Sequence, residues 1–132
     1  MSVFKQQKTF MEACDQSVGT FNPEQFQMHL KLIDEEYTEL RDSVKANDPI
    51  EVFDALLDLI VVCIGGIHSL PTDADSGWEE VIQTNLAKID PTTGKVKKRE
   101  DGKVLKPSGW VAPDLSKHID SDKVDFSDIE LP

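Results

Sequence analysis

The chain has 132 residues, of which 39% are hydrophobic and 30% charged, and its formal net charge is -11 at pH 7. This is one domain's worth of chain with room for a modest core, neither fibrous nor low in complexity. The acidic balance argues against a DNA- or RNA-binding surface, which needs a basic footprint. A nucleotide substrate stays compatible with it if metal ions screen the acids.

Taken in chain order, the opening "MSVFKQQKTF" is polar and mixed, so no secretory signal is expected. A first helix is predicted from Val3 to about Gln16, ending before Gly19, with Phe10 and Met11 packed inward. Cys14 and Cys63 are the only cysteines. Both sit among helix formers, which predicts buried free thiols in a reducing cytoplasm. A second helix starts with Asn22 as N-cap and Pro23 at the first helical position, then runs towards Lys45. Asp48 and Pro49 repeat the signature for a third, fading near Gly65-Gly66 or by Leu70. A fourth is predicted over Gly77 to Ile89, with Trp78 in the core. Beyond it, "KVKKREDGKVLK" has the form of a small hairpin turning at Asp101-Gly102. The last residues are acidic with few anchors and predict a loosely held tail. The expected division is a single all-α domain over 1–132, with a helical core at 1–90, a basic loop or β-hairpin at 91–115 and an acidic tail at 116–132. The longest apolar run, Leu59 to Ile67, is short of the ~20 residues that span a membrane. A cytoplasmic protein with neither membrane nor nucleic acid as partner is expected.

Helical residues advance by about 100° each, so faces follow from spacing. In the second helix Phe26, Leu30, Ile33, Tyr37, Leu40 and Val44 form an apolar stripe. Glu36 lies at its edge, Glu39 further round on the same side, and Glu35 nearly opposite. In the third helix Val52, Leu56, Leu59 and Cys63 make the primary core face, and Phe53, Leu57, Ile60 and Ile64 extend it. Glu51, Asp54 and Asp58 share the remaining face. The short "KAND" connection makes the pair antiparallel. Glu39 then falls level with Asp54, and Glu36 with Asp58 or Asp54. Such a cluster repels itself unless it is protonated or holds cations, and hard divalent ions such as Mg2+ take oxygen ligands. Two plainer readings stand beside this one. Asp48 and Glu51 have capping-box spacing, and Glu35 and Glu39 are within reach of Arg41 or Lys31 as surface pairs. A di-iron bundle would want Glu-x-x-His, and none of His29, His68 and His118 carries a Glu at that spacing.

"EEYTE" (Glu35 to Glu39), "EVFD" (Glu51 to Asp54), "NLAK" (Asn85 to Lys88) and "REDGKVLKPSGWVAPDL" occur in this order. The set resembles the MazG-like, all-α nucleotide pyrophosphohydrolase superfamily, in a short phage and bacterial branch often labelled phosphoribosyl-ATP pyrophosphohydrolase-like. The likeness spans roughly Leu30 to Leu115. It implies hydrolysis of a nucleoside triphosphate to the monophosphate and pyrophosphate with Mg2+ or Mn2+. By position it implies Glu36, Glu39, Glu51 and Asp54 as metal ligands. Asp58, one turn beyond Asp54, is a candidate for a second ion or for orienting water. Glu35 or Glu36 is the candidate general base.

Asn85 and Lys88 share a face of the fourth helix by spacing, which alone reads as a solvated surface pair. The resemblance implies instead that Lys88 contacts phosphate oxygens and that Asn85 hydrogen-bonds a phosphate, a sugar or water. Lys98 and Arg99, within the basic run, either cover phosphates or balance the acidic body of a neighbouring subunit. Trp110 offers a ring for stacking on a base or for packing on the helices, and Gln16 is a candidate for lining a base pocket. Apolar surface around Val61, Val62, Ile64 and Ile67 demands more cover than one chain supplies, predicting a homodimer or homotetramer. Phage members of the family suggest a purine deoxynucleotide such as dGTP, with phosphoribosyl-ATP, dCTP or dUTP as alternatives. A non-enzymatic acidic binding protein is the competing class of function.

Overall fold

A computed structural model describes residues 1–132. Four helices make up the ordered framework: α1 (Val3–Ala13), α2 (Pro23–Lys45), α3 (Pro49–His68) and α4 (Ala74–Leu86). Two single-turn 3-10 segments follow, Ser116–His118 and Ser121–Lys123. The chain is all-helical and contains only isolated antiparallel bridges, with no strand.

The starts of α2 and α3 follow directly from their sequences. The Asn22 side chain accepts from the Gln25 N–H at 3.1 Å, and Asp48 Oδ1 accepts from the Glu51 N–H at 3.1 Å. In each case proline occupies the first turn, where its missing N–H costs nothing. The two helices pack against each other as the main contact of the molecule. The turn between them is closed by Asn47 at φ 52°, a left-handed conformation that asparagine tolerates better than most residues.

The far end of the hairpin is locked by buried polar groups. Buried Gln25 donates from Nε2 to Ser17 O and to Ser69 Oγ, both at 2.9 Å, and accepts the Ser17 N–H at 3.1 Å. Backbone bonds from Gly19 N–H to His68 O (2.9 Å) and from Asn22 N–H to Ser69 O (3.0 Å) fasten the α1–α2 loop to the end of α3. Fully satisfied buried polar groups of this kind specify one arrangement, whereas a half-satisfied set would be costly. α1 joins through His68 Nε2, 2.8 Å from Phe4 O, and through Phe4 and Met11, which are buried.

Several expectations are revised. α1 ends at Ala13, before Gln16, where Asp15 takes φ 60°. Phe10 faces solvent (63% exposed), because Met11 holds the inward position one residue on. Trp78 is 56% exposed; it meets Phe4 edge-on at 6.0 Å with one side only. α4 begins at Ala74 rather than Gly77, since Asp73 caps it by accepting the Ser76 N–H at 3.2 Å. Both cysteines are free and exposed rather than buried. On α3 the buried line is Ala55, Ile64, Gly65, Gly66 and His68, rotated away from Leu56 and Cys63. The basic segment does turn back at Asp101-Gly102, with Arg99 N–H on Lys103 O and Leu105 N–H on Lys97 O, both at 2.8 Å. Its pairing is a single bridge, Lys98 with Val104, and not a pair of strands. The tail is anchored, not loose. Phe126 stacks within 5.8 Å of Phe21 and 5.2 Å of Phe26, and Asp120 N–H reaches Pro71 O at 2.9 Å. His118 Nδ1 lies 2.9 Å from Ser76 Oγ, and Glu80 takes Lys117 at 3.2 Å. No helix is long and apolar enough to cross a membrane.

Gly65 explains why α3 tolerates glycine in its last turns. A Cβ there would come within 2.1 Å of the His29 ring, which is buried and bonded through Nδ1 to Gln25 O at 2.9 Å. At Gly66 the nearest His29 atom would be 4.0 Å away. Gly65→Ala is therefore expected to lower unfolding stability by about 1–3 kcal/mol through overpacking. Gly66→Ala should be neutral or gain up to ~1 kcal/mol from helix propensity. Chemical denaturation of the two variants checks this; equal effects would contradict the close approach.

Candidate active site

The α2–α3 seam carries its carboxylates on the half of the hairpin nearest the turn. α2 contributes Glu36, Glu39 and Asp42 at intervals of three residues, so they wind along one edge of the helix. α3 answers with Glu51, Asp54 and Asp58. Glu39, Asp42, Ser43, Glu51, Asp54 and Ala55 line a shared cleft of about 260 Å³. Asp42 was not singled out from the sequence, although the spacing that groups Glu36 with Glu39 also reaches it.

The deeper pair is Glu36 with Asp58. Both are half-buried, and Glu36 Oε2 is wholly covered with no hydrogen-bond partner. Burial raises the Glu36 carboxyl above its ordinary 4.5, and the charges of Glu39, Asp58 and Asp54 raise it further. Asp58 is raised above 3.8 by burial and then by Asp54 and Glu39. Glu39 and Asp54 thus act on both Glu36 and Asp58, one electrostatic cluster across the two helices, as the antiparallel register predicts. Both shifts oppose folding at neutral pH. The penalty is fully present above the raised folded-state values and disappears as pH falls below the ordinary ones.

No lysine or arginine relieves this charge. The ion pairs of the molecule join Arg99 to Asp101, Lys117 and His118 to Glu80, and Lys123 to Asp120. Arg41 lies over the Tyr37 ring at 5.8 Å instead of pairing with Glu39. Glu51 gives only its N–H to the Asp48 cap, so its carboxylate is left to the cleft. The Asp48 cap of the plainer reading is thus present, but the Glu51 carboxylate does not return to the Asp48 N–H, which goes to Ser43 O, and Glu39 is in no ion pair. An all-oxygen donor set with uncompensated negative charge and a covered, bondless oxygen fits a hard divalent cation. The side chains as they stand do not converge in threes on one point. Glu39, Glu51 and Asp54 are exposed and have freedom to turn towards an ion.

The remaining candidates are dispersed. Glu35 points to the opposite side of α2, where it lines a shallow cavity with Glu24, Lys31 and Glu130. Gln16 lies in the α1–α2 loop, its N–H bonded to Met11 O at 2.9 Å, and does not border the acidic cleft. Asn85 is in the last turn of α4, while Lys88 lies beyond the helix end. They meet through Lys88 Nζ donating to Asn85 Oδ1 at 3.2 Å, not by sharing a helical face. Arg99 is spent on Asp101, and Lys98 is exposed at the bridge. Trp110 donates from Nε1 to Thr84 O at 2.7 Å and lies against Lys88 and Lys106.

A family model described as phosphoribosyl-ATP pyrophosphohydrolase matches residues 4–85, more than half of the chain. A search of curated proteins finds no match.

Proposed function

The chain belongs to the phosphoribosyl-ATP pyrophosphohydrolase family, of the MazG-like all-α superfamily, and on that premise we propose that it hydrolyses a nucleoside triphosphate at the α2–α3 seam. The family's enzymes are hydrolases acting on phosphoric anhydrides. The products proposed here are a nucleoside monophosphate and pyrophosphate, and Mg2+ or Mn2+ is the required cation. A purine deoxynucleotide such as dGTP is the substrate favoured; phosphoribosyl-ATP, dCTP and dUTP are its competitors. The observation that carries the reading is the cluster of Glu36, Glu39, Asp54 and Asp58, half-buried, self-repelling and without a cationic side chain.

Glu36, Glu39, Glu51 and Asp54 would hold the cation, with Asp58 and Asp42 beside them. The chemistry supplied by that ion would be neutralisation of charge on the triphosphate and on the leaving pyrophosphate. The carboxylates set its position and exclude any anion that arrives without it. In the hydrolytic step a water oxygen bonds to phosphorus as the bond to the pyrophosphate oxygen breaks, and the water proton passes to a carboxylate. Of the two candidate bases, Glu36 is the one on the seam. Glu35, on the far side of α2, is left for another role. Asn85, in the last turn of α4, and Lys88, beyond its end, are the proposed phosphate contacts, although neither lines the acidic cleft.

A panel of nucleoside triphosphates with Mg2+ or Mn2+ tests the proposal, with products resolved as monophosphate plus pyrophosphate or diphosphate plus phosphate. Release of pyrophosphate is expected, with Glu39→Ala and Asp54→Ala each reducing turnover by about 100-fold or more, the scale of losing a transition-state charge contact. No turnover across the panel would reject the enzyme reading.

The active form is proposed to be a homodimer or homotetramer. Of the residues expected to need cover, Ile64 is buried, Val62 and Ile67 are half-buried and only Val61 is exposed. The uncovered apolar face lies nearer the start of α3, where Ile50, Phe53, Leu56, Leu57, Ile60 and Val61 are each more than 40% exposed. A second copy of the same helix supplies a matching surface through a two-fold interface. Sedimentation should show the wild type as an oligomer and Ile60→Glu shifted towards monomer; a monomeric wild type would contradict it.

A further inference from the structure

A second charged feature lies outside the matched residues and is of opposite sign. Between the end of α4 and the segment up to Val111 there is a cavity of about 620 Å³. Its charged lining is Lys88, Lys97 and Lys106, with Asp90 as the single carboxylate, and Trp110 forms one wall. None of its lining residues comes from α2 or α3.

The lysines are held, not scattered. Lys88 Nζ and Lys106 Nζ each lie 5.0 Å from the centre of the Trp110 ring. The ring itself is fixed by its Nε1 bond to Thr84 O at 2.7 Å. Cation–π attraction gathers the two ammonium groups around one indole. Asp90 Oδ1 is used by the Thr92 N–H at 2.8 Å, tying it into its turn. None of the three lysines is in an ion pair, in a chain with 25 acidic residues available. Like charges collected around an aromatic wall, none of them paired with the one carboxylate there, are a site prepared for an incoming anion. The indole thus has two ammonium groups gathered about its ring.

We infer that this cavity is a binding site for a polyphosphate anion, held by Lys88, Lys97 and Lys106 and organised by Trp110. The choice of ligand rests on the pyrophosphohydrolase reading, since pyrophosphate and the triphosphate tail of a nucleotide are the anions of that reaction. The site needs no metal to bind its ligand, which separates it from the carboxylate cluster.

The test is calorimetric titration of the full chain in EDTA, where the acidic seam repels polyanions. Inorganic pyrophosphate and dGTP are titrated separately into wild type, Lys97→Ala, Lys106→Ala and Lys103→Ala. Saturable binding is expected, weakened about tenfold or more by Lys97→Ala and by Lys106→Ala, as for loss of one charge-assisted contact. Lys103→Ala removes the same charge from the same segment outside the cavity and should change affinity less than about twofold. Tighter binding of dGTP assigns the site to a nucleotide tail, and tighter binding of pyrophosphate assigns it to the product. Absence of saturable binding by both, or equal weakening by all three substitutions, would overturn the inference. Because no hydrolysis is required, binding in EDTA succeeds or fails independently of turnover in the metal-containing assay.

Discussion

The antiparallel packing of α2 on α3 is the constraint from which the rest of the structure follows. Along the seam the two helices meet in a fixed register. Asp42 and Glu51 share the cleft nearest the turn with Glu39 and Asp54; Glu36 and Asp58 lie one turn deeper. Beyond them His29 sits on Gly65, and Gln25 reaches Ser69. One end of the hairpin is thus assembled from satisfied hydrogen bonds and close backbone approach, the other from repelling carboxylates. The favourable packing at the closed end is what allows the unfavourable charge at the open end to be held in place. Such local conflict, supported by well-packed surroundings, is the usual signature of a functional site.

The second consequence concerns α3. Its sequence is apolar almost all round, yet α2 covers one side and α1 only its last turns. The remaining surface includes Phe53 and Ile60, both more than half exposed. A helix of this character is ordinarily an interior element, and a second copy of the chain is the cover proposed above.

Much of the framework was legible in the sequence because it depends on local chemistry. Asn22-Pro23 and Asp48-Pro49 mark helix starts through capping and a fixed φ, and the 100° advance per residue places Glu36, Glu39, Asp54 and Asp58 together. The failures involve long-range contacts, which periodicity does not encode. Phe126 docks on Phe21 and Phe26, and His118 returns to Ser76, so a segment with few apolar residues is nonetheless anchored. Gly77 reads as a boundary, but Asp73 already caps the helix and Gly77 passes opposite His118. The face of α3 that is buried depends on where His29 lies, so the core line shifted from Leu56 and Cys63 to Ala55 and Ile64. The role of Trp110 was also invisible, because its two lysines come from positions 22 residues before it and four before it in the chain.

Charge is separated within one small chain: an acidic seam at the hairpin, the site proposed for cations, and lysines around an indole, the site proposed for an anion. The central claim is that the seam is frustrated by like charge and relieved by a divalent ion. The most direct measurement is the melting midpoint of wild type and Glu36→Gln, each in EDTA and in excess Mn2+. The wild type is expected to be stabilised by the ion through linkage. Glu36→Gln is expected to melt higher than wild type in EDTA and to gain less from Mn2+. Identical midpoints with and without the ion, together with a Glu36→Gln variant no more stable than wild type in EDTA, would contradict it.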